Sequence, residues 1–595
     1  MTAGGPFQSG PAAARRVRIL SLALGLVVVA PLLLPGFVLA YDMVFVPHQG
    51  FSLGLLGVSR LLPREVPIAL VVTTLSRLLT GQVVQKLLLL AIFAGGAYGA
   101  ARLVPARTVA GRMAAGILYV WNPFTYERLL LGHWALLLGY AAFPWVARAA
   151  IGVREGTPGA WARLILALAA AAVPNPYTGI IGGAIAFALL AAPPWERVRS
   201  ARRSAFALGA AVVVNLPWLV PAAFHPRIRE HASLGVALFH ARADSPLGTL
   251  GSLLSLGGLW RTGLAPPGRT TFAWIPAFVL IAGLAVKGWR TLRGRWPNGA
   301  LTGLLFVAAF GLLLAWLPSF GHLRGVFGFL GRTLPGGDAL RESQKFVMPL
   351  ALAGSVGFGL GVDRLVEASR GSQGWLRRVA PVAAILPLAL APTLAWGAGG
   401  RLSPATYPSS WARVETITSA DPTPGGMLAL PWHAYLPFGW NHGRTVHQPA
   451  LDYFSRPVVA SSALEVGSNV IPDEDPWAAL ARPALTGSGE LLPDLRRLGI
   501  RYVVLFKEAD WRGEVSRLDG LVVAVDRPDL TLYLVPLSGP VPRFTQPPLA
   551  AILAGDAVTL VALVLAGAAV WSRRTRWHRP GGGQYAMNAP EGGPD

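Results

Sequence analysis

Residues 18–40, RILSLALGLVVVAPLLLPGFVLA, decide the class of this protein. The run carries a charge only at its first position, and about 20 apolar residues suffice to cross a bilayer. It is too long for a removed secretory signal and lacks the small-residue cleavage pattern. Directly after it comes YDMVFVPHQG, residues 41–50. There a carboxylate, Asp42, stands two residues past the predicted span.

The rest of the chain agrees with a membrane setting. Of 595 residues, 53% are hydrophobic and only 14% are charged, with a mean hydropathy of +0.49. Soluble chains carry roughly 25% charged residues. The formal charge of +23 comes from 52 Lys and Arg, nearly all Arg, against 29 Asp and Glu. In a soluble protein that would point to nucleic acid. Here the enrichment of basic residues on the inner side of membrane proteins accounts for it, and no nucleic-acid partner is expected. Cysteine is absent, which excludes disulfides and thiolate metal sites. The abundance of Ala, Gly, Arg and Pro fits a GC-rich bacterial genome.

Twelve spans are predicted: 18–40, 82–104, 109–121, 132–153, 160–174, 178–195, 204–223, 273–287, 299–317, 346–365, 379–397 and 547–571. The apolar stretch 67–79 is read as interfacial. With both termini inside, 25 of the 52 basic residues fall on the inner side, and short inner connections such as ERVRSARR are Arg-rich. The expected location is therefore a bacterial plasma membrane, with cytoplasmic termini. Residues 1–397 form a membrane core with about 11 spans. Residues 398–546 hold 15 acids and 13 bases, with short strand-like runs GGMLALPW, IRYVVLFK and LTLYLVP. They read as a small extracytoplasmic α/β domain. Residues 547–572 return through the membrane, and 573–595 form a Gly/Pro-rich cytoplasmic tail expected to be disordered.

Acids are scarce beside the spans, so each needs a reason. Seven fall on the predicted outer rim: Asp42, Glu65, Glu127, Glu230, Asp244, Asp338 and Glu342. Nine of ten histidines fall on the same side; His578 is the exception. Asp42 is either a base for an acceptor hydroxyl or a solvated residue beyond a helix end. A carboxylate at a helix C-terminus opposes the dipole, which favours the first reading. His48 and Gln49 follow it.

In YVWNPFTYERLLLGHW, residues 119–134, Pro123 should stop a helix and leave a turn at the lipid boundary. Arg128 could grip a phosphate there, with Tyr126, Glu127 and His133 near a sugar. Equally, the segment could be a solvated pair among belt aromatics. In VPNPYTG, Asn175 and Tyr177 stand where two short helices meet, either in a tight connection or beside a ligand. In residues 322–346, Arg324, Arg332, Arg341 and Lys345 suit a lipid-linked phosphate, or general attraction to anionic headgroups. The acids in DED, 473–475, read as solvated loop residues, and WNHGRTVHQ reads as a structural loop. HExxH, P-loop and GxSxG motifs are absent.

This plan resembles the GT-C class of polytopic glycosyltransferases. YDMVFVPHQ stands where that class has its acid. NPFTYERLLLGHWALLLGYAAFPW and RESQKFVMPLAL are similar to stretches of actinobacterial α-(1→3)-arabinofuranosyltransferase-like membrane proteins, and LLPDLRRLGIRYVVLF followed by DLTLYLVP is similar to their outer domain. The resemblance implies a polyprenyl-phosphate sugar donor and a glycan or glycolipid acceptor in the cell envelope, with membrane lipid around the donor's tail. It implies Asp42 as the catalytic base and Arg128, Arg324, Arg341 and Lys345 as donor-phosphate ligands. His48, Gln49, Tyr126, Glu127, His133, Asn175 and Tyr177 would face sugar or acceptor. Some members use a divalent metal; no second acid stands beside Asp42 in the first loop, so no metal ligand is assigned. Two other readings stay open: a transporter or flippase of lipid-linked sugars, and a noncatalytic envelope scaffold.

Overall fold

The computed structural model describes residues 10–193, 197–225, 232–292, 294–334, 337–370, 374–487 and 490–577. Glu230, His578 and most of the predicted tail lie outside them. Among the described residues, nine helices are long and apolar enough to cross a membrane. Three of the twelve predicted spans are shorter: Val109–Val120, Ala160–Ala172 and Pro176–Ala191. Pro176 opens the last of these, and the break at 173–175 divides what would otherwise be one apolar run.

The first span also differs from its prediction. Its helix runs Pro11–Val29 and tightens into a 3-10 turn at Ala30–Leu33. Pro31 and Pro35 remove the amide donors a longer helix needs. The apolar residues after it are buried within the protein: Phe37, Val38, Leu39 and Ala40 are at most 4% exposed. Gln85 acts as a side-chain strand partner there, receiving Val38 N at 3.0 Å and donating to Val38 O at 2.7 Å. Asp42 thus lies on an extended segment well beyond the helix end.

Helix Met348–Ser369 runs through the centre of the bundle. Gly288 meets Gly357 and Gly361, and Gly111 meets Gly359, so that backbones replace side chains at the contacts. Small residues permit such close helix approach in lipid, where apolar area alone drives little association. At the same helix, Asp363 accepts Thr108 N and Oγ1, both at 2.8 Å.

A five-stranded mixed sheet lies within residues 426–534, in the order 522–526, 530–534, 500–506, 426–430, 458–459. Strand Gly426–Leu430 is buried throughout and pairs parallel with Ile500–Phe506. Trp411 and Trp477 fill the space on its faces and are fully buried. Three arginine contacts tie this α/β region to the helical part. Arg60 meets Asp475 at 2.8 Å, Arg64 meets Glu474 at 2.6 Å and Arg341 meets Glu474 at 3.1 Å. Asp473 pairs with Arg482. The DED acids are therefore not solvated loop residues: each is neutralised by an arginine, and all three are largely buried.

Candidate active site

Asp42 stands on a turn closed by Met43 N, which donates to Ala40 O at 2.8 Å. Tyr41 has φ 43°, a left-handed conformation that costs an L-residue energy. Two bonds from a hairpin of the α/β region hold it. Tyr41 N donates to Thr445 O at 2.8 Å, and His447 N donates to Tyr41 O at 2.9 Å. Gly132, at φ 78°, presses on the same turn, and a Cβ there would collide with Ala40 O and the Asp42 and Met43 amides.

Each carboxylate oxygen of Asp42 has a partner. Tyr435 OH donates to Oδ1 at 2.5 Å, and His133 Nε2 lies 2.9 Å from Oδ2. Arg128 fixes the tautomer of His133. A guanidinium only donates, and its Nη1 is 3.0 Å from His133 Nδ1. Nδ1 must therefore accept, and Nε2–H points at Asp42. Burial lowers the His133 pKa and favours the neutral ring. Burial opposes ionisation of Asp42 as well, but the bonds from His133 and Tyr435 outweigh it and hold the carboxyl below its ordinary range. The Asp42 side chain is nevertheless 43% exposed. The arrangement is an ionised, oriented and accessible carboxylate.

Arg128 is 0% exposed. Pro123 does not stop a helix here. It starts one, Pro123–Leu130, as the first residue after Asn122, whose side chain caps Thr125 N. Every residue of that helix is buried, so this is packed interior and not a turn at the lipid boundary. The Arg128 guanidinium donates to Gln344 Oε1 at 3.1 and 2.6 Å and to Glu342 Oε2 at 2.5 Å. It has no face left for a phosphate and serves to hold His133. Burial works against the Glu342 charge, yet Lys345 and Arg128 keep its pKa well below the usual value. Lys345 Nζ lies 3.3 Å from Glu342 and 3.8 Å from the Tyr177 ring centroid.

Six residues expected from the sequence thus connect: Asp42, His133, Arg128, Lys345, Tyr177 and, through Gln344, Glu127. Others do not join them directly. Tyr126 is buried, with its hydroxyl near Thr393 and Arg401. Asn175 caps helix Pro176–Ala191 by accepting Tyr177 N. Gln49 bridges Thr73 and Asp452. His48 lines a separate cavity of about 410 Å³ with Phe37, Tyr407 and Tyr453. Arg324 contacts Ser319 O, and Arg341 is occupied by Glu474. Among the described residues, no group of three or more His, Asp or Glu is placed to hold a metal ion.

Tyr435, Gln344 and Arg261 carry the site's remaining contacts and were not singled out from sequence. The Arg261 guanidinium lies 4.6 Å over the Tyr41 ring and, among the described residues, has no carboxylate partner. Gln344 and Glu342 flank Ser343 in RESQKF, and their adjacency to Lys345 was the available signal. For Tyr435, nothing local distinguishes it from other tyrosines.

No family model and no curated protein matches the chain. Solved structures do. Arabinofuranosyltransferase AftD from mycobacteria superposes with a TM-score of 0.61 at 16% identity, covering 90% of this chain and 40% of that one. A mutant form of AftD gives 0.56 at 17% identity, covering 91% of this chain and 42% of that one. The chain therefore spans less than half the length of these neighbours. ArnT from Cupriavidus metallidurans, in the apo state, gives 0.43 at 14% identity over 89% of this chain and 100% of that one, a likeness too slight to build on. The shared fold is that of a polytopic helical membrane protein with a small α/β region, as the resemblance to the GT-C class implied.

Proposed function

We propose that the chain is a membrane glycosyltransferase that moves a sugar from a polyprenyl-phosphate donor to a hydroxyl of an envelope glycan or glycolipid at the outer face. One observation carries the reading. Asp42 is an accessible carboxylate whose two oxygens are oriented by Tyr435 and by the His133–Arg128–Glu342 relay. In the step proposed, the acceptor oxygen attacks the anomeric carbon. Its proton passes to Asp42 as the new C–O bond forms. The bond from the anomeric carbon to the phosphate oxygen breaks, and its electron pair leaves with the polyprenyl phosphate.

Stabilising that departing charge requires cations. Arg128 and Lys345 are paired with Glu342, and Arg64 and Arg341 with Glu474. Arg261 is exposed beside Tyr41 and, among the described residues, has no such partner, which favours it as the direct phosphate contact. The fold shared with AftD makes arabinofuranose the first sugar to try.

The test is transfer from a radiolabelled polyprenyl-phosphate sugar by purified protein and its Asp42→Asn variant. Loss of transfer by a folded variant supports the reading. Wild-type-like transfer by the variant would remove Asp42 as the base. Absence of transfer by the wild type, together with lipid-linked sugar movement in proteoliposomes, would favour a flippase.

A further inference from the structure

Behind the Asp42 relay lies a second pair of carboxyl groups, Glu127 and Asp244, away from the exposed Asp42 side chain. Glu127 is 0% exposed and Asp244 3% exposed. Glu127 Oε2 accepts Gln344 Nε2 at 2.7 Å. Its other oxygen, Oε1, is buried and meets no N–H or hydroxyl donor. The acid beside Glu127, within side-chain hydrogen-bonding reach of it, is Asp244. Asp244 in turn accepts Gly258 N at 2.8 Å and meets Arg269 Nη2 at 3.3 Å. The charged groups facing the pair are thus Arg269 alone on one side and, through Gln344, Arg128 on the other.

Two buried carboxylates in contact, sharing one arginine, cannot both remain ionised. A hydrogen bond between two carboxyl groups also requires a proton, because an ionised carboxylate only accepts. Asp244 is the member bonded to Arg269 and a backbone amide, so the proton belongs on Glu127.

We infer that Glu127 is a neutral carboxylic acid that donates its proton to Asp244, and that it serves as a positioning residue for the Asp42 relay. Protonated Glu127 performs two tasks at once. Its hydroxyl ties segment 241–269 to helix Pro123–Leu130. Its carbonyl oxygen accepts Gln344 Nε2, which turns Gln344 Oε1 toward both Arg128 nitrogens. Arg128 then presents Nη1 to His133, and His133 presents Nε2–H to Asp42. The same segment carries Arg261 to Tyr41, so one proton bears on the placing of both Asp42 and Arg261. A Glu beside an Arg at the end of a span reads as a charge pair in sequence; here the two side chains have separate partners.

The catalytic consequence rests on the transferase reading, whereas the protonation state does not, and the two are tested separately. Glutamine at 127 keeps an acceptor for Gln344 and supplies an N–H for Asp244, so it reproduces the neutral acid; leucine supplies neither. In full-length protein in lipid nanodiscs at neutral pH, the infrared carbonyl band of a protonated carboxylic acid should be stronger in wild type than in Glu127→Gln. An identical band in both would overturn the assignment whether or not the protein transfers sugar. In the transfer assay, Glu127→Gln should stay within about threefold of wild type, and Glu127→Leu should fall by roughly 100-fold in kcat through misplacement of the relay. A Gln variant as inactive as the Leu variant, with both folded, would assign Glu127 an ionised or substrate-contacting role instead. Should wild type show no transfer, the infrared result still decides the proton, and only the transferase reading fails.

Discussion

The two sides of the Asp42 site differ in how they are built. On the helical side, Arg128, His133, Glu342, Gln344 and Glu127 form a largely buried chain linked side chain to side chain by hydrogen bonds. On the α/β side, Tyr435 gives a single hydrogen bond and the 435–447 hairpin holds Tyr41 through its backbone. Loss of one member from the first side leaves a buried charge or amide without its partner. Loss from the second leaves groups that water can reach. The helical side therefore sets the integrity of the site, and the α/β side adjusts it.

The variants that would break this contrast can be ranked. Asp42→Asn removes the proposed base, on which both sides converge, and general-base catalysis contributes about 10²–10⁴-fold to such reactions. A loss of that size in transfer rate is expected, with unchanged folding. Arg128→Met comes next and differs in kind. It leaves Glu342 with Lys345 alone and the buried Gln344 Oε1 without its donor, and breaking a buried ion pair costs up to about 3–5 kcal/mol, so a lowered melting temperature should accompany lost activity. If Arg128→Met melts like wild type, the helical side is not the rigid one.

Tyr435→Phe should cost about 10- to 100-fold, in line with the roughly 1.5–3 kcal/mol of a hydrogen bond to a charged group. It carries a sharper signature in pH. Asp42 is held below its ordinary range partly by the Tyr435 bond, and the base works only when ionised. Activity falls as pH drops through the Asp42 pKa. Removing the tyrosine hydroxyl raises that pKa, so the acid limb of the rate profile should move to higher pH. An unmoved limb would show that Tyr435 does not tune the base.

Glu474→Gln should have the smallest effect on chemistry. Burial opposes the Glu474 charge, but Arg64 and Arg341 bring its pKa down to about 2. A depressed carboxylate stabilises the fold above its unfolded pKa, near 4.5, and that contribution is lost as pH falls toward 2. The variant should melt below wild type at neutral pH, and the difference should shrink as pH falls from about 4.5 toward 2. A gap that persists at low pH would mean the Glu474 charge does not tie the two regions together.

What could be read in advance follows from where polar residues are rare. Beside the spans, Asp42, Glu127 and His133 stood out because lipid-facing sequence tolerates few such groups without a reason. Arg128 stood out equally, and its predicted role changed once its burial was known: a phosphate ligand must be accessible, and its guanidinium is enclosed. In residues 398–546 polar residues are common, so Tyr435 carried no signal, and Glu474 looked like one more loop acid.

The sequence by itself determined the membrane class, most of the spans and the sheet-forming runs. Those properties depend on local composition and period, which a single stretch of chain contains. The tertiary structure decided which groups meet. Asp42 and Tyr435 are separated by 393 positions, and Arg128 and Gln344 by 216. Contacts of that kind arise only when helices pack and a distant hairpin closes over a turn. Packing also turned YDMVFVPHQG from the flank of a helix into a braced loop with its carboxylate open to solvent.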